Sequence, residues 1–218
     1  MKHSPRVCGI LLLFVIEFMI PFVVQAASTR PGTIGDYRES LVFFELFYND
    51  YADSSNVILM PNHQLHISPF GTQSIADFTW QNDRITNYSL WLRLENLEYL
   101  LPLIGSADAV LETTARLWFE SWCRAHRGYA QPNRAAWDPM TAATRAMVLV
   151  YYLKVEEART GGRRDVIDLL LSEIKSHQQF LSAKERFSFN SNHGLREAIG
   201  LLETTRAYAD SGCARGVF

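Results

Sequence analysis

Residues 137–153 read WDPMTAATRAMVLVYYL, and this stretch decides how the rest of the chain is interpreted. Asp138 before Pro139 is typical of a helix start: an aspartate side chain caps free N–H groups, and proline in the first turn has no N–H to leave unpaired. From Ala146 to Leu153 the residues are apolar on nearly every side, whereas a surface helix would have one polar face. We therefore predict an inner, buried helix from Met140 onwards.

Helical periodicity continues on both sides of this helix. Apolar residues recur at intervals of three and four in four stripes: Leu90, Trp91, Leu94, Leu97 and Leu101; Leu111, Ala115, Trp118, Phe119 and Trp122; Val166, Leu170, Ile174, His177 and Leu181; and Leu195, Ile199 and Leu202. Gly105-Ser106 and Gly161-Gly162 interrupt the pattern. The pattern predicts an all-α fold of about five or six helices that pack as antiparallel hairpins.

The N-terminal part of the chain has a different character. Residues 1–26 are typical of a secretory signal peptide, with Lys2 and Arg6 before an apolar run and a small-residue cleavage site at Ala26. An uncleaved membrane anchor is the alternative. Residues 27–87 are predicted to form a helix from Asp36 to Ala52 and then an irregular segment with one or two short strands. Residues 88–210 form the helical part, and residues 211–218 a tail that leaves the helical pattern.

Charge and cysteine content limit the function. The net charge of −2 becomes −3 without Lys2, Arg6 and Glu17, since 19 basic and 22 acidic residues remain. A nucleic-acid-binding protein would need a basic face, so we expect no nucleic-acid partner. Cys123 and Cys213 remain after cleavage. A disulfide is compatible with the predicted secreted or periplasmic location, but two buried thiols are the favoured interpretation.

A series of motifs follows one another along the helical part of the chain. The motifs are WLRLENLEYL at 91–100, FESW at 119–122, WDPMTAATR at 137–145, EIKSHQQFL at 173–181 and NSNHGL at 190–195. In this order they resemble the N-terminal domain of heparinase II/III-like and alginate lyases, over roughly residues 76–208. The resemblance implies an incomplete (α/α) toroid of helical hairpins, which in the family precedes a β-sandwich. It also implies an acidic polysaccharide substrate, such as heparan sulfate or alginate, cleaved by β-elimination without a cofactor.

The resemblance assigns catalytic roles to Asn192 and His193. In the family, the asparagine of the Asn-His-Gly motif binds the uronate carboxylate, and the histidine assists as a base or a charge stabiliser. A helix that starts near Asn192 offers free N–H groups and a positive dipole end to a carboxylate. The alternative is that Asn192 is the N-cap of that helix and His193 a surface residue in its first turn.

The chain also departs from the family. Only 26 residues follow Asn192, no tyrosine matches the family's catalytic tyrosine, and the β-sandwich is absent, so we expect an incomplete lyase. The family's catalytic tyrosine lies on a later hairpin. Tyr208 does not match it, because Tyr208 follows Asn192 too closely in sequence and lies on the same predicted helix. The alternative function, from another class, is a non-catalytic secreted helical module that binds glycan or a protein.

Other side chains are candidates for substrate binding. Trp80, Trp91 and Trp137 could stack on sugar rings, and Arg145 could pair with a uronate or sulfate. The alternatives are that Trp137 packs at the helix entry and that Arg145 caps a buried carbonyl or pairs with an acidic neighbour.

Three further sets of residues are not assigned to a functional site. Trp118 and Trp122 lie on an apolar stripe and are expected in the core, and His177 is expected to be a core histidine with its hydrogen bonds made. His63 and His66 have a spacing that can bind metal but no cysteine or carboxylate partner, so no metal site is predicted.

Overall fold

The computed structural model describes residues 57–60, 64–67, 71–74, 80, 87–126, 135–159 and 161–214. The predicted signal peptide and the predicted helix from Asp36 to Ala52 lie outside these residues, as does His63. Within the described part, no helix is long and apolar enough to cross a membrane.

The described residues are predominantly helical, as the sequence predicts. They contain strands β1 (Val57–Met60), β2 (Gln64–Ile67) and β3 (Gly71–Ser74), and helices α1 (Tyr88–Glu95), α2 (Ala109–Ala125), α3 (Pro139–Ala158), α4 (Arg164–Leu181) and α5 (Asn192–Ala214). Short 3₁₀ turns occupy Glu98–Leu100 and Lys184–Arg186.

The three strands form an antiparallel sheet in the order β1-β2-β3. His66 pairs with Ile58 on one side and Thr72 on the other. The expectation of an all-α fold is therefore incomplete, because the irregular segment holds three short strands rather than one or two.

Helix α3 is the central element, and its predicted start is confirmed. The Asp138 carboxylate accepts hydrogen bonds from the N–H groups of Met140 and Thr141, both at 3.1 Å, and Pro139 occupies the first turn. Every residue from Thr141 to Val150 is buried. The prediction of an inner helix is thus confirmed, with polar residues of the first turns buried as well.

Side-chain contacts fix the directions of the other helices. At one end of α3, Arg145 reaches His177 near the end of α4; at the other end, Arg163 at the start of α4 donates to Glu156 at 2.7 Å. Helices α3 and α4 are therefore antiparallel. Arg163 also pairs with Glu112 at the start of α2 at 2.8 Å, and Trp122 near the end of α2 packs against Arg145, so α2 is antiparallel to α3 too.

Helix α5 is antiparallel to α4, since Gln178 near the end of α4 donates to Thr205 at 3.1 Å while Lys175, one turn earlier, lies over the ring of Tyr208. Helix α5 therefore runs in the same direction as α3, and Arg196 near its start donates to Thr144 near the start of α3 at 3.3 Å. The two backbones approach closely. A Cβ added at Gly200 would lie 2.9 Å from the Ala143 Cα atom, so only glycine fits there without movement. Thr204 and Ala207 continue this narrow, buried face.

The predicted tail at residues 211–218 is shorter than expected, because α5 continues through Ala214.

Candidate functional site

The corner between α4 and α5, residues 187–194, is held by a buried carboxylate. Glu197, only 3% exposed, accepts from the Ser188 N–H and from the Ser188 hydroxyl, each at 2.8 Å. Asn190 adopts a left-handed conformation with φ of 59°, which asparagine tolerates better than most residues. The corner is therefore a defined turn with internal anchors.

Ser191 caps helix α5. Its hydroxyl oxygen accepts from the Gly194 N–H at 3.0 Å, and its hydroxyl donates to the Ser188 carbonyl at 2.8 Å. The alternative that Asn192 is the N-cap is therefore wrong by one residue. Asn192 is the first residue of the helix, so its side chain has no capping task.

Asn192 and His193 are both exposed, whereas Gly194 is buried. Within the described part of the chain, neither the Asn192 amide nor the His193 imidazole makes a hydrogen bond to another residue. A Cβ at Gly194 would lie 2.1 Å from the Ser188 carbonyl oxygen, so the motif needs glycine for steric reasons. The motif thus presents two polar side chains to solvent at the positive end of a helix.

A group of charged residues lies at the same end of the helices. The Glu98 carboxylate accepts from Asn96 at 2.9 Å and pairs with Arg93 at 3.3 Å. Burial raises the pKa of Glu98, while the positive charges of Arg93 and Arg196 act in the opposite direction. Arg196 is one turn after Asn192 and therefore shares its face of α5. Arg196 was not predicted as a site residue, although the sequence already places it four residues after Asn192 in a predicted helix.

The structure places Arg145 in the core, with 0% exposure. Its guanidinium donates to the carbonyls of Glu95 at 2.5 Å and Ala136 at 2.6 Å, and to His177 Nε2 at 2.9 Å. It also lies 4.2 Å from the centre of a Trp122 ring. Burial lowers the pKa of Arg145 to about 10, so it stays charged at neutral pH. Arg145 therefore caps buried carbonyls, which was the alternative to a role in substrate binding.

The three tryptophans predicted to stack on sugar rings differ in how far they are exposed to solvent. Trp137 is 7% exposed and packs against His177 and Phe180, with ring centroids 4.9 and 5.1 Å apart. Trp80 is 3% exposed and its indole N–H donates to the Ser121 hydroxyl at 3.1 Å. Trp91 alone of the three is partly exposed. The buried faces of Trp80 and Trp137 are occupied by protein side chains.

The predicted core residues are confirmed. Trp118 and Trp122 are buried, and Cys123 is a buried free thiol. His177 is buried and its Nδ1 lies 2.7 Å from the Glu173 carbonyl, while its Nε2 accepts from Arg145. These partners fix the tautomer, with the proton on Nδ1.

The burial of His177 predicts acid sensitivity. Burial and the charge of Arg145 hold the pKa of His177 well below its usual value. The unfolded chain therefore binds a proton that the folded chain does not, so the free energy of unfolding falls as the pH decreases below about 6.5. Between pH 7 and 5.5 we expect this histidine to account for a loss of about 1 kcal/mol.

Urea unfolding at the two pH values measures the effect, with His177→Gln as the comparison because glutamine can still accept from Arg145. The explanation fails if the variant loses as much stability on acidification as the unaltered protein.

Comparison with known proteins gives no relative: no family model, curated protein or solved structure matches this chain.

Proposed function

We propose that the corner containing Asn192 and His193 binds the carboxylate of a uronate-containing polysaccharide, and that the chain is the helical toroid part of a polysaccharide lyase. The observation that supports this most is the placement of Asn192 and His193. Both are exposed in the first turn of α5, where N–H groups and the helix dipole favour an anion. Arg196, on the same face, adds a positive charge one turn away.

The relative directions of the helices are compatible with a toroid. Helices α2 and α4 are each antiparallel to α3, while α3 and α5 run side by side in the same direction, as successive inner helices of a toroid would. The starts of α3 and α5 therefore lie at the same end. In this proposal, the substrate binds at that end of the helices.

The proposed reaction is β-elimination. The C5 proton of a uronate is weakly acidic while the adjacent carboxylate is fully charged, so a donor must stabilise the charge that develops there. The Asn192 amide would donate to that carboxylate, and the His193 imidazole would accept the C5 proton as a base or stabilise the developing charge. The C5 proton goes to His193 or, where the imidazole only stabilises charge, to a water molecule. The C5–H electrons form the C4–C5 double bond, and the bond from C4 to the 4-linked oxygen breaks as that oxygen takes a proton from water.

A non-catalytic helical module that binds glycan or protein is the second candidate, and the position of Tyr208, which shares a helix with Asn192, favours it. Tyr208 lies 16 residues after Asn192 in α5, or about 24 Å along the helix axis, too far to act on the same sugar. The hydroxyls of Tyr99 and Tyr152 are buried. For such a module, the predicted secreted or periplasmic location places the binding partner in the cell envelope, outside the cytoplasm.

Alginate and heparan sulfate are the substrates for the test, and the unsaturated uronate product is followed by its ultraviolet absorbance. We expect Asn192→Ala to lower product formation by at least about 100-fold, because one stabilising donor is lost. Asn190→Gly is the matched control: it removes a nearby exposed amide at a position where glycine suits the backbone.

Calorimetric titration of the same polysaccharides separates the two candidates. Affinity without product, lost in Asn192→Ala, identifies a binding module. Neither affinity nor product with either polysaccharide contradicts the proposed function.

A further inference from the structure

The corner presents an exposed aromatic ring beside the proposed carboxylate site. Phe189 is 69% exposed, the largest exposed fraction among the large apolar side chains of the described residues. Phe187, partly buried, contacts it edge-on with ring centroids 4.9 Å apart. The Phe189 ring thus contacts one protein ring while most of its surface meets solvent.

The backbone that carries Phe189 is fixed on both sides. The Phe189 N–H donates to the Phe187 carbonyl at 3.1 Å, and Ser188 is held by the buried Glu197 carboxylate. On the other side, Asn190 takes the left-handed conformation and Ser191 binds back to the Ser188 carbonyl. Because the backbone is already ordered, ligand binding restricts only the side-chain torsions of Phe189, so more of the contact energy appears as affinity.

The polar neighbours of Phe189 indicate what kind of ligand fits. Asn192 lies three residues further on, so the two Cα atoms are at most about 10 Å apart. A pyranose ring has an apolar face of C–H groups and a polar edge of hydroxyl and carboxylate groups. An exposed ring next to an exposed amide and imidazole matches both parts, whereas an apolar protein segment would leave Asn192 and His193 without partners.

We propose that Phe189 is a stacking platform for a pyranose ring next to the uronate whose carboxylate Asn192 binds. This inference rests on the proposed function, and it assigns to Phe189 the role that was predicted from the sequence for Trp80 and Trp137. Stacking on the neighbouring ring makes the site selective for oligosaccharides over single uronate sugars. Phe189 contributes to binding, whereas Asn192 acts on the reacting sugar.

The experiment measures the affinity of the full chain for a tetrasaccharide of alginate or heparan sulfate and for free glucuronate. We expect Phe189→Ala to weaken tetrasaccharide binding by about tenfold and to leave glucuronate binding unchanged. Phe189→Trp keeps a flat ring and should retain the affinity. Leu117→Ala, which removes a side chain that is 50% exposed on α2, is the control for loss of exposed apolar surface.

Three other outcomes overturn the inference in different ways. If Phe189→Ala binds the tetrasaccharide as tightly as the unaltered protein does, Phe189 is not a stacking platform, but the proposed carboxylate site still stands. An equal loss for tetrasaccharide and glucuronate means that Phe189 supports the fold of the corner. If the unaltered protein binds neither tetrasaccharide nor glucuronate, the proposed function fails, and the platform with it.

Discussion

Arg145→Met is expected to lower the free energy of unfolding by about 3–5 kcal/mol. The fully buried Arg145 guanidinium donates hydrogen bonds to two backbone carbonyls and to His177. Methionine fills much of the same volume but donates nothing. The carbonyls of Glu95 and Ala136 would then be buried without these donors, at about 1–3 kcal/mol for each unsatisfied group.

Urea unfolding, followed by tryptophan fluorescence and by circular dichroism, measures this loss. The two signals are needed because Arg145 lies over Trp122, so the substitution changes the fluorescence of the folded state as well. Arg164→Met is the matched control. Arg164 is 69% exposed and pairs at 3.4 Å with an exposed aspartate, an arrangement that contributes little. Similar free energies of unfolding for the two variants would show that the buried hydrogen bonds of Arg145 do not stabilise the core.

Gly194→Ala is expected to disrupt the corner, with a loss of about 1–3 kcal/mol and of polysaccharide binding. Helix propensity alone predicts the opposite, since alanine in a helix is favoured over glycine by roughly 1 kcal/mol. The new methyl group would lie 2.1 Å from the Ser188 carbonyl oxygen. Relief of this overlap requires movement of Ser188 or of the start of α5, and both carry the proposed site.

Thermal or urea unfolding measures the stability, and calorimetric titration with alginate or heparan sulfate measures the binding. Gly161→Ala is the control, because a Cβ there meets no atom within 4 Å while the φ of +75° still imposes a conformational cost. That variant should lose a little stability and keep its binding. A Gly194→Ala protein that is as stable as the original would contradict the steric argument.

Local chemistry was enough to predict much of the helical part. Asp138-Pro139 predicted the start of α3, and the apolar run that follows predicted its burial. The stripe through Leu170 and His177 predicted the buried face of α4, and both side chains are buried. These features follow from spacing along one helix, so the sequence contains all the information that they need.

Features that depend on two elements were harder to predict. The face of α5 toward α3 consists of small and polar residues, among them Gly200 and Thr204, so apolar periodicity does not reveal it. Ser191, and not Asn192, caps α5, since the turn conformation at Asn190 decides which side chain meets the free N–H groups.

The sequence by itself determined the helical class, the central helix and a polar Asn-His-Gly motif at the start of the last helix. Only the tertiary structure decided which candidate side chains reach solvent. Arg145 and Trp137 are buried and Phe189 is exposed, because the exposure of a side chain depends on elements distant in sequence. An arginine or tryptophan suits a sugar site or a core equally well, and the packing of α1, α2 and α4 around α3 selects between them.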